Sequence, residues 1–370
     1  MTQRLAINRA ARLFEEPHVG HNRYHPDIEP VLEVNAGVEV ILETRDGVDG
    51  QLSPTATAAD IAKLDAGAVH PLTGPIYIKG ASPGDGLEIE FLNIAAEPTG
   101  FTAIIPGLGF LRDTITTPFL AQWKIKDGWA TSKDIPGVRI LGAPFMGVSA
   151  VAPSPTEIAL WRDREARWVE KGGMALGPDP TGAVPTGSCG LTGLRTLPPR
   201  ENGGNFDVKQ LTKGAKLVLP VFVDGALFST GDGHFAQGDG EVCVTAIEMG
   251  ATVAVRFKVL KDLYRTRKFK APVFSHQTYC AHSKYSAPER FLGVMGMPIC
   301  SNGENDGENL TLACRNALLN MIELLQERGF TEEQAYVICS VAVDFRVSNV
   351  VDVPNYVVSA LLPEAIFDAY

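Results

Sequence analysis

The stretch Thr252-Val-Ala-Val-Arg-Phe-Lys-Val259 sets apolar residues at every second position from Val253 on, with smaller or charged ones between them. Successive side chains of an extended chain point to opposite faces, so this pattern predicts a half-buried strand. Met249-Gly250 stands just ahead of it. The arrangement recurs three times: residues 38–44 follow Ala36-Gly37, residues 87–92 follow Pro83-Gly84, and residues 216–223 follow Lys213-Gly214. Further short strands are expected at 31–34, 75–78 and 242–247. A glycine turn feeding an alternating strand four times fits hairpin chemistry or an internal duplication. The expected fold is mainly β with α: a sandwich- or barrel-like core in two β-rich halves, with a helical C-terminal region.

Working outward, residues 1–151 read as the first β-rich half and 201–262 as the second. Between them, residues 153–169 can hold a short helix, and the chain then turns Gly/Pro-rich through Pro199. The 152–200 excursion is expected to act as a lid or a subunit contact. Residues 263–370 are expected to be mainly helical. Leu310, Cys314, Ala317, Leu318, Met321, Leu324 and Leu325 fall on one helical face, and Gly329 ends that helix. Thr331-Glu-Glu-Gln334 is a capping box that starts the next.

Composition narrows the function. The chain has 370 residues, 45% of them hydrophobic and 21% charged, which suits a folded chain with a sizeable core. Its 37 glycines and 25 prolines suit many turns. A net charge of −10 with no basic stripe argues against nucleic acid or an anionic membrane as partner. No apolar run is long enough to span a bilayer, and the first sixteen residues interleave Arg with apolar groups rather than forming a signal sequence. A cytoplasmic location is expected. Cysteines at 189, 243, 280, 300, 314 and 339 form no C-x-x-C pair and read as reduced thiols. The apolar helices and the N-terminal arm suggest a homo-oligomer. His18, His21 and His25, around Tyr24 and Asp27, match no metal spacing and are expected at the surface or a subunit contact.

Several chemistries lack their motif. Thr186-Gly-Ser-Cys-Gly190 has its glycines in the wrong register for a nucleophile elbow. There is no H-E-x-x-H, no phosphate-binding G-x-x-x-x-G-K-[ST], and no G-x-G-x-x-G after a strand. Polar chemistry concentrates instead in Gly231-Asp-Gly-His-Phe-Ala-Gln-Gly-Asp-Gly-Glu241. Asp232 and His234 share parity on an extended chain, as do Asp239 and Glu241. A carboxylate beside an imidazole can bind a divalent metal such as zinc, or carry general acid–base work. A hairpin with Gly-Asp turns and a solvated histidine is the plain alternative. A second cluster, Pro199-Arg-Glu-Asn-Gly-Gly-Asn-Phe-Asp-Val-Lys209, sets Asn205 and Asp207 at shared parity beside Gly203-Gly204. An amide there can hold a carbonyl, and an acid can ligate metal or orient a histidine. A third, Glu43-Thr-Arg-Asp46 with Gln51 and His70-Pro-Leu-Thr-Gly-Pro75, could form another wall, although His70 alone would read as a structural histidine.

In this order, the blocks resemble the acetamidase/formamidase family. They are Glu43-Thr-Arg-Asp46, the run from His70 to Asp85, Gly204-Asn-Phe-Asp-Val-Lys209, and the long block from Leu219 to Glu241, and the likeness runs from about residue 30 to the C-terminus. The insertion ending Leu197-Pro-Pro-Arg-Glu-Asn-Gly-Gly204, Arg315-Asn-Ala-Leu-Leu319 and Val351-Asp-Val-Pro354 resemble the longer, formamidase-like members. The resemblance implies hydrolysis of small aliphatic amides to a carboxylate and ammonia, with some members opening γ-lactams. No serine or cysteine nucleophile stands out, so an activated water is expected. On this reading Asp232 and His234 bind zinc with Asp207 as third ligand, Glu241 is the general base, with Glu241 and Asp232 able to exchange roles, and Asn205, with Asp46 and His70, positions the amide. The same acids acting without a metal, and a β protein that binds a small ligand without turning it over, remain the alternatives.

Overall fold

Alternation in the sequence becomes sheet pairing. The computed structural model describes residues 2–268, 270–277, 279, 288 and 290–367. A six-stranded sheet runs in the order Gln3–Leu5, Glu39–Thr44, Ala251–Leu260, Gly86–Ala96, Ala215–Pro220, Val273–His276. The four strands fed by glycine turns are therefore consecutive neighbours in one sheet. Gly37, Gly84 and Gly214 hold φ of +86°, +94° and +93°, a left-handed conformation that a side chain disfavours. Val253 pairs with Leu42 and Ile94, Val255 with Val40 and Phe91, and Phe257 with Ile89. All of these are buried, each worth roughly 1.5–3 kcal/mol relative to exposure.

The second sheet has eleven strands. Its main path is Arg139–Leu141, Trp129–Ser132, Phe119–Lys126, Thr99–Ile104, Glu248–Met249, Phe228–His234, Phe145–Ala150, Gly203–Asn205. Leu72–Lys79 branches from Phe228–His234 and pairs with Gly20–His21 and Leu32–Asn35. One continuous core joins Leu42, Phe91, Phe228, Ile247, Leu318, Tyr336 and Leu362. The stretches 1–151 and 201–262 consequently interleave: each large sheet takes strands from both.

The sequence reading and the structure part company in three places. Residues 242–247 form no strand, because Glu241 and Val244 hold φ of +46° and +81°. Val242, Cys243, Ala246 and Ile247 are buried all the same, which is why the stretch mimics an alternating strand. The C-terminal helices lie where expected, at Leu310–Glu327 and Glu332–Ala342. Thr331 Oγ1 accepts from Gln334 N at 3.2 Å, and Gln334 Oε1 accepts from Thr331 N at 2.9 Å. The same region also carries a three-stranded sheet, Phe291–Gly296, Val357–Pro363, Asp344–Asn349. Helix Leu310–Glu327 presses on it at Gly296, where a Cβ would lie 2.1 Å from Ala313 O. Third, the histidines near the N-terminus do not share one surface. His18 is exposed and His25 half-buried, but His21 is 2% exposed. Its Nδ1 is 2.6 Å from Arg23 O and its Nε2 is 2.6 Å from Ser229 Oγ.

Helix Pro155–Glu170 starts at Ser154, whose hydroxyl accepts from Glu157 N. It buries Ile158 and Trp161 against Tyr24, Val148 and Leu194, and Trp161 meets Phe222 edge-on at 5.7 Å. Cys189, Cys243, Cys300, Cys314 and Cys339 are free thiols, and Cys280 lies outside the described residues. Among the described residues no helix is long and apolar enough to cross a membrane.

Burial pulls the pKa of His21 down from 6.5 to about 4. The folded protein keeps it neutral while the unfolded chain protonates near 6.5, so its contribution is complete above that pH and is lost as pH falls from 6.5 to about 4. The loss amounts to roughly 3 kcal/mol at most. Urea unfolding of His21→Gln should show a flatter dependence of stability on pH across this window than the parent; equal slopes would rule the assignment out.

Candidate active site

The site begins with the wholly buried strand Phe228–His234. Its glycines are a packing requirement: a Cβ on Gly231 would lie 2.5 Å from Pro71 O, and one on Gly233 would lie 2.9 Å from Met249 O. Between and beyond them stand Asp232 and His234. His234 lies directly opposite Glu248 in the antiparallel pairing with Glu248–Met249. On the other side, Met146 opposite Gly233 and Val148 opposite Gly231 place Gly147 beside Asp232.

The His234 ring is oriented from behind. Its Nδ1 is 2.9 Å from Gln237 Oε1, and Gln237 Nε2 donates to the backbone oxygen of Asp207 at 2.9 Å. An Nδ1–H donated to Gln237 Oε1 leaves Nε2 facing the acids, the tautomer a metal-bound imidazole needs. Nε2 lies 3.2 Å from Glu248 Oε1, 3.4 Å from Asp232 Oδ2 and 3.8 Å from Glu241 Oε1. It is aligned with none of them and makes no hydrogen bond; Asp232 Oδ1 and Asp207 Oδ1 are likewise buried without a partner. His70 Nε2 closes on Asp232 Oδ2 from another wall at 3.9 Å.

Crowding of acids sets their protonation. Burial raises Glu248 to about 8 and Asp207 to about 7. Burial, with the Asp207 charge, lifts Glu241 well above the usual carboxylate range. Asp232 goes the other way: burial opposes ionisation, but the charges of His70 and His234 outweigh it and hold the group below the usual range. For His234, burial works against protonation while Glu248 and Asp232 override it, so its pKa is raised. Acids this close share protons, or else a cation replaces those protons.

Two triads offer one ligand atom each within 4.8 Å of one another: Asp232, His234 and Glu248, and Asp207, His234 and Glu241. The unpartnered Nε2 and carboxylate oxygens, the oriented imidazole and the nitrogen–oxygen donor set all fit a divalent ion. So does the space left by two glycines. A Cβ on Gly47 would lie 2.2 Å from Asp232 Oδ1, and one on Gly147 would lie 2.7 Å from Asp207 Oδ1 and 2.9 Å from Asp232 Oδ2. The cluster opens to a cavity of about 970 Å³, with Asp232, Glu241 and Glu248 at the acidic end, His70 and Asn205 beside them, and largely apolar walls elsewhere.

The structure thus brings Asp207, Asp232, His234 and Glu241 together, with His70 and Asn205 on the cavity wall. Asn205 Oδ1 is buried and unpartnered. The extended backbone assumed by the parity argument is broken at three of these positions. Asp207, Asp232 and Glu241 have φ of +49°, +58° and +46°, strained conformations that gather at functional sites. Asp239 leaves the cluster altogether and pairs with Lys209 at 3.1 Å. Asp46 is also placed elsewhere: its Oδ1 accepts from Val48 N and Gly50 N at 3.0 and 3.1 Å, shaping the turn that presses Gly47 against Asp232. Glu43 ties down Arg4. Glu248 is the ligand candidate that sequence reasoning missed. Its one signal is an acid lodged in the apolar run Ala246-Ile-Glu-Met249.

Comparison with known proteins follows from this geometry. The model of the Acetamidase/Formamidase family matches residues 6–369. An acetamidase of Mycolicibacterium smegmatis is 35% identical over 367 residues, covering 90% of this chain and 88% of that one. A formamidase of Methylophilus methylotrophus is 32% identical over 373 residues, covering 94% and 89%. Among solved structures, a γ-lactamase from Delftia acidovorans superposes with a TM-score of 0.93 at 34% identity, covering 100% of this chain and 94% of that one. A mainly β body with a buried acid–imidazole cluster is here the body of a hydrolase acting on carbon–nitrogen bonds in amides. The chain belongs to the acetamidase/formamidase family.

Gly147→Ala tests the cradle. The atoms its Cβ would meet are ends of side chains, so the cluster gives way rather than the fold. Metal affinity should drop about 10–100-fold with the melting profile nearly preserved; undiminished affinity in a folded variant would contradict the packing described.

Proposed function

We propose that this chain hydrolyses the C–N bond of small amides of the formamide and acetamide type, giving a carboxylate and ammonia, and that it also opens γ-lactams. The observation that carries the reading is the unpartnered Nε2 of His234 among buried acids at the end of a cavity. Zinc is the ion this donor set suits. Asp232, His234 and Glu248 would hold it, with Asp207 behind them, so that Glu248 joins the set read from sequence. Bound there, zinc supplies Lewis-acid charge and lowers the pKa of water toward about 7.

The chain's own groups divide the remaining work. Asn205 Oδ1 accepts from the amide NH2 and turns the carbonyl carbon toward the acids. Glu241 takes a proton from the attacking water as its oxygen adds to that carbon. It returns the proton to the nitrogen as the C–N bond breaks. A cation beside Glu241 brings its raised pKa back into a working range. His70, facing the same space, polarises the carbonyl, and its pKa is lowered by burial despite the Asp232 charge. Asp46 contributes by holding its turn. The chain is further read as a homo-oligomer, a reading supported by exposed Phe291, Met295 and Val347 on the three-stranded sheet.

Ammonia release from formamide and acetamide, with ring opening of a γ-lactam followed by chromatography, is the direct test. His234→Ala and Glu248→Gln should each lower kcat/KM by at least about a hundredfold and reduce bound metal. Turnover that survives complete removal of metal by chelator would remove the zinc assignment while leaving the hydrolase. Because Glu248 and Asp207 sit near 8 and 7 without a cation, zinc uptake at pH 7 should release protons. Calorimetry in buffers of different ionisation enthalpy reads this directly; heats independent of the buffer would count against ligation by these acids.

A further inference from the structure

A formamide-sized molecule would leave most of the 970 Å³ cavity empty. The acidic end accounts for part of that space, and positively charged side chains line another part. Arg195 lines the same cavity, is 6% exposed, and has a buried Nε without any hydrogen-bond partner. Its Nη2 donates to Ala66 O, and that is the bond the guanidinium makes. Among the described residues it pairs with no carboxylate. Asp65 and Asp179 act on it from a distance, but Asp65 Oδ1 accepts from Gly67 N at 2.8 Å and Asp179 Oδ1 from Thr181 N at 2.8 Å. Nearby Arg23 adds a second positive charge and spends its donors on the carbonyl oxygens of Asn22, Gly67, Asp179 and Thr181.

A buried guanidinium without a counter-ion is costly, and it is normally paired. Its planar fork of donors suits a carboxylate better than any neutral group. Arg167 and Lys171 add positive charge to the cavity's outer wall. Arg195 and these cations draw an anion to their own wall, while the amide end goes to Asn205 and Glu241, so the cavity orients a molecule with two unlike ends. Strand Leu194–Arg195 also runs directly into Thr196, whose Oγ1 accepts from His70 N and donates to His70 O, both at 2.9 Å. The anion wall and the reacting end are thereby held in one register.

We propose that Arg195 is an anion-binding residue of this cavity and that the favoured substrates are amides carrying a carboxylate remote from the scissile bond, such as monoamides of dicarboxylic acids. The proposal rests on the amide-hydrolase reading and adds the substrate class. Its test pairs succinamate, glutaramate and adipamate with butanamide, pentanamide and hexanamide, using the metal-loaded enzyme and ammonia detection. At least one acid should exceed its neutral counterpart in kcat/KM by about tenfold, mainly through a lower KM. Arg195→Met should bring that ratio to one or below, and Arg195→Lys should restore part of it. The parent enzyme's ratios stand even where a variant folds poorly. Neutral amides turned over as well as, or better than, all three acids would overturn the proposal and leave the hydrolase intact. Silence from both series while formamide or acetamide is still turned over would overturn this proposal alone; silence from those amides as well would overturn the hydrolase reading with it.

Discussion

The pairing of His234 with Glu248 across two antiparallel strands is the constraint on which the rest of the site turns. It places an imidazole and a carboxylate in register within the eleven-stranded sheet, both of them buried. Asp232, two residues back on the same strand, and Asp207 and Glu241, from loops behind it, then add acids that the local dielectric penalises. Four carboxylates at close quarters are tolerable only if protons or a cation divide them. The neighbouring strands make room for that solution. Gly147 and Gly47 leave space where any side chain would collide with the oxygens of Asp232, and Gln237 turns the imidazole outward.

Much of this was legible in the sequence, for stated reasons. Strands at 38–44 and 252–259 betray themselves because one face is buried and the other is not. The Gly-Asp-Gly-His run declares a crowded turn-rich site because its glycines mark close backbone approach, confirmed at Gly231 and Gly233. The capping box at Thr331 forms as its spacing implies. What escaped the sequence is pairing across distance. Glu248 sits on a two-residue strand amid apolar neighbours, and only its partner reveals its use. Asp46 stands at a strand end near the site, yet its oxygens serve backbone amides. Parity failed for Asp239 because Gly240 and Glu241 both take left-handed conformations, which turn the chain away from an extended path. Residues 242–247 misled in the opposite sense: burial without extension leaves the same imprint as a strand.

Interleaving of the two β-rich halves has a mechanical meaning. Each sheet is stitched from segments far apart in the chain, and one core runs through both sheets and the C-terminal helices. Asp232 and Glu248 at the acidic end of the cavity are therefore held by long-range pairings. The wall around Trp168 and Leu176 comes from the 152–200 excursion, anchored by Ile158 and Trp161.

That difference in origin separates two kinds of inheritance within one molecule. Asp232, His234 and Glu248 belong to paired strands and tolerate little change. The surfaces that meet the body of a bound molecule belong partly to a loop, where insertions and exchanges cost less. Descendants of such a chain can acquire new diets by rewriting the excursion alone, keeping their chemistry untouched beneath it.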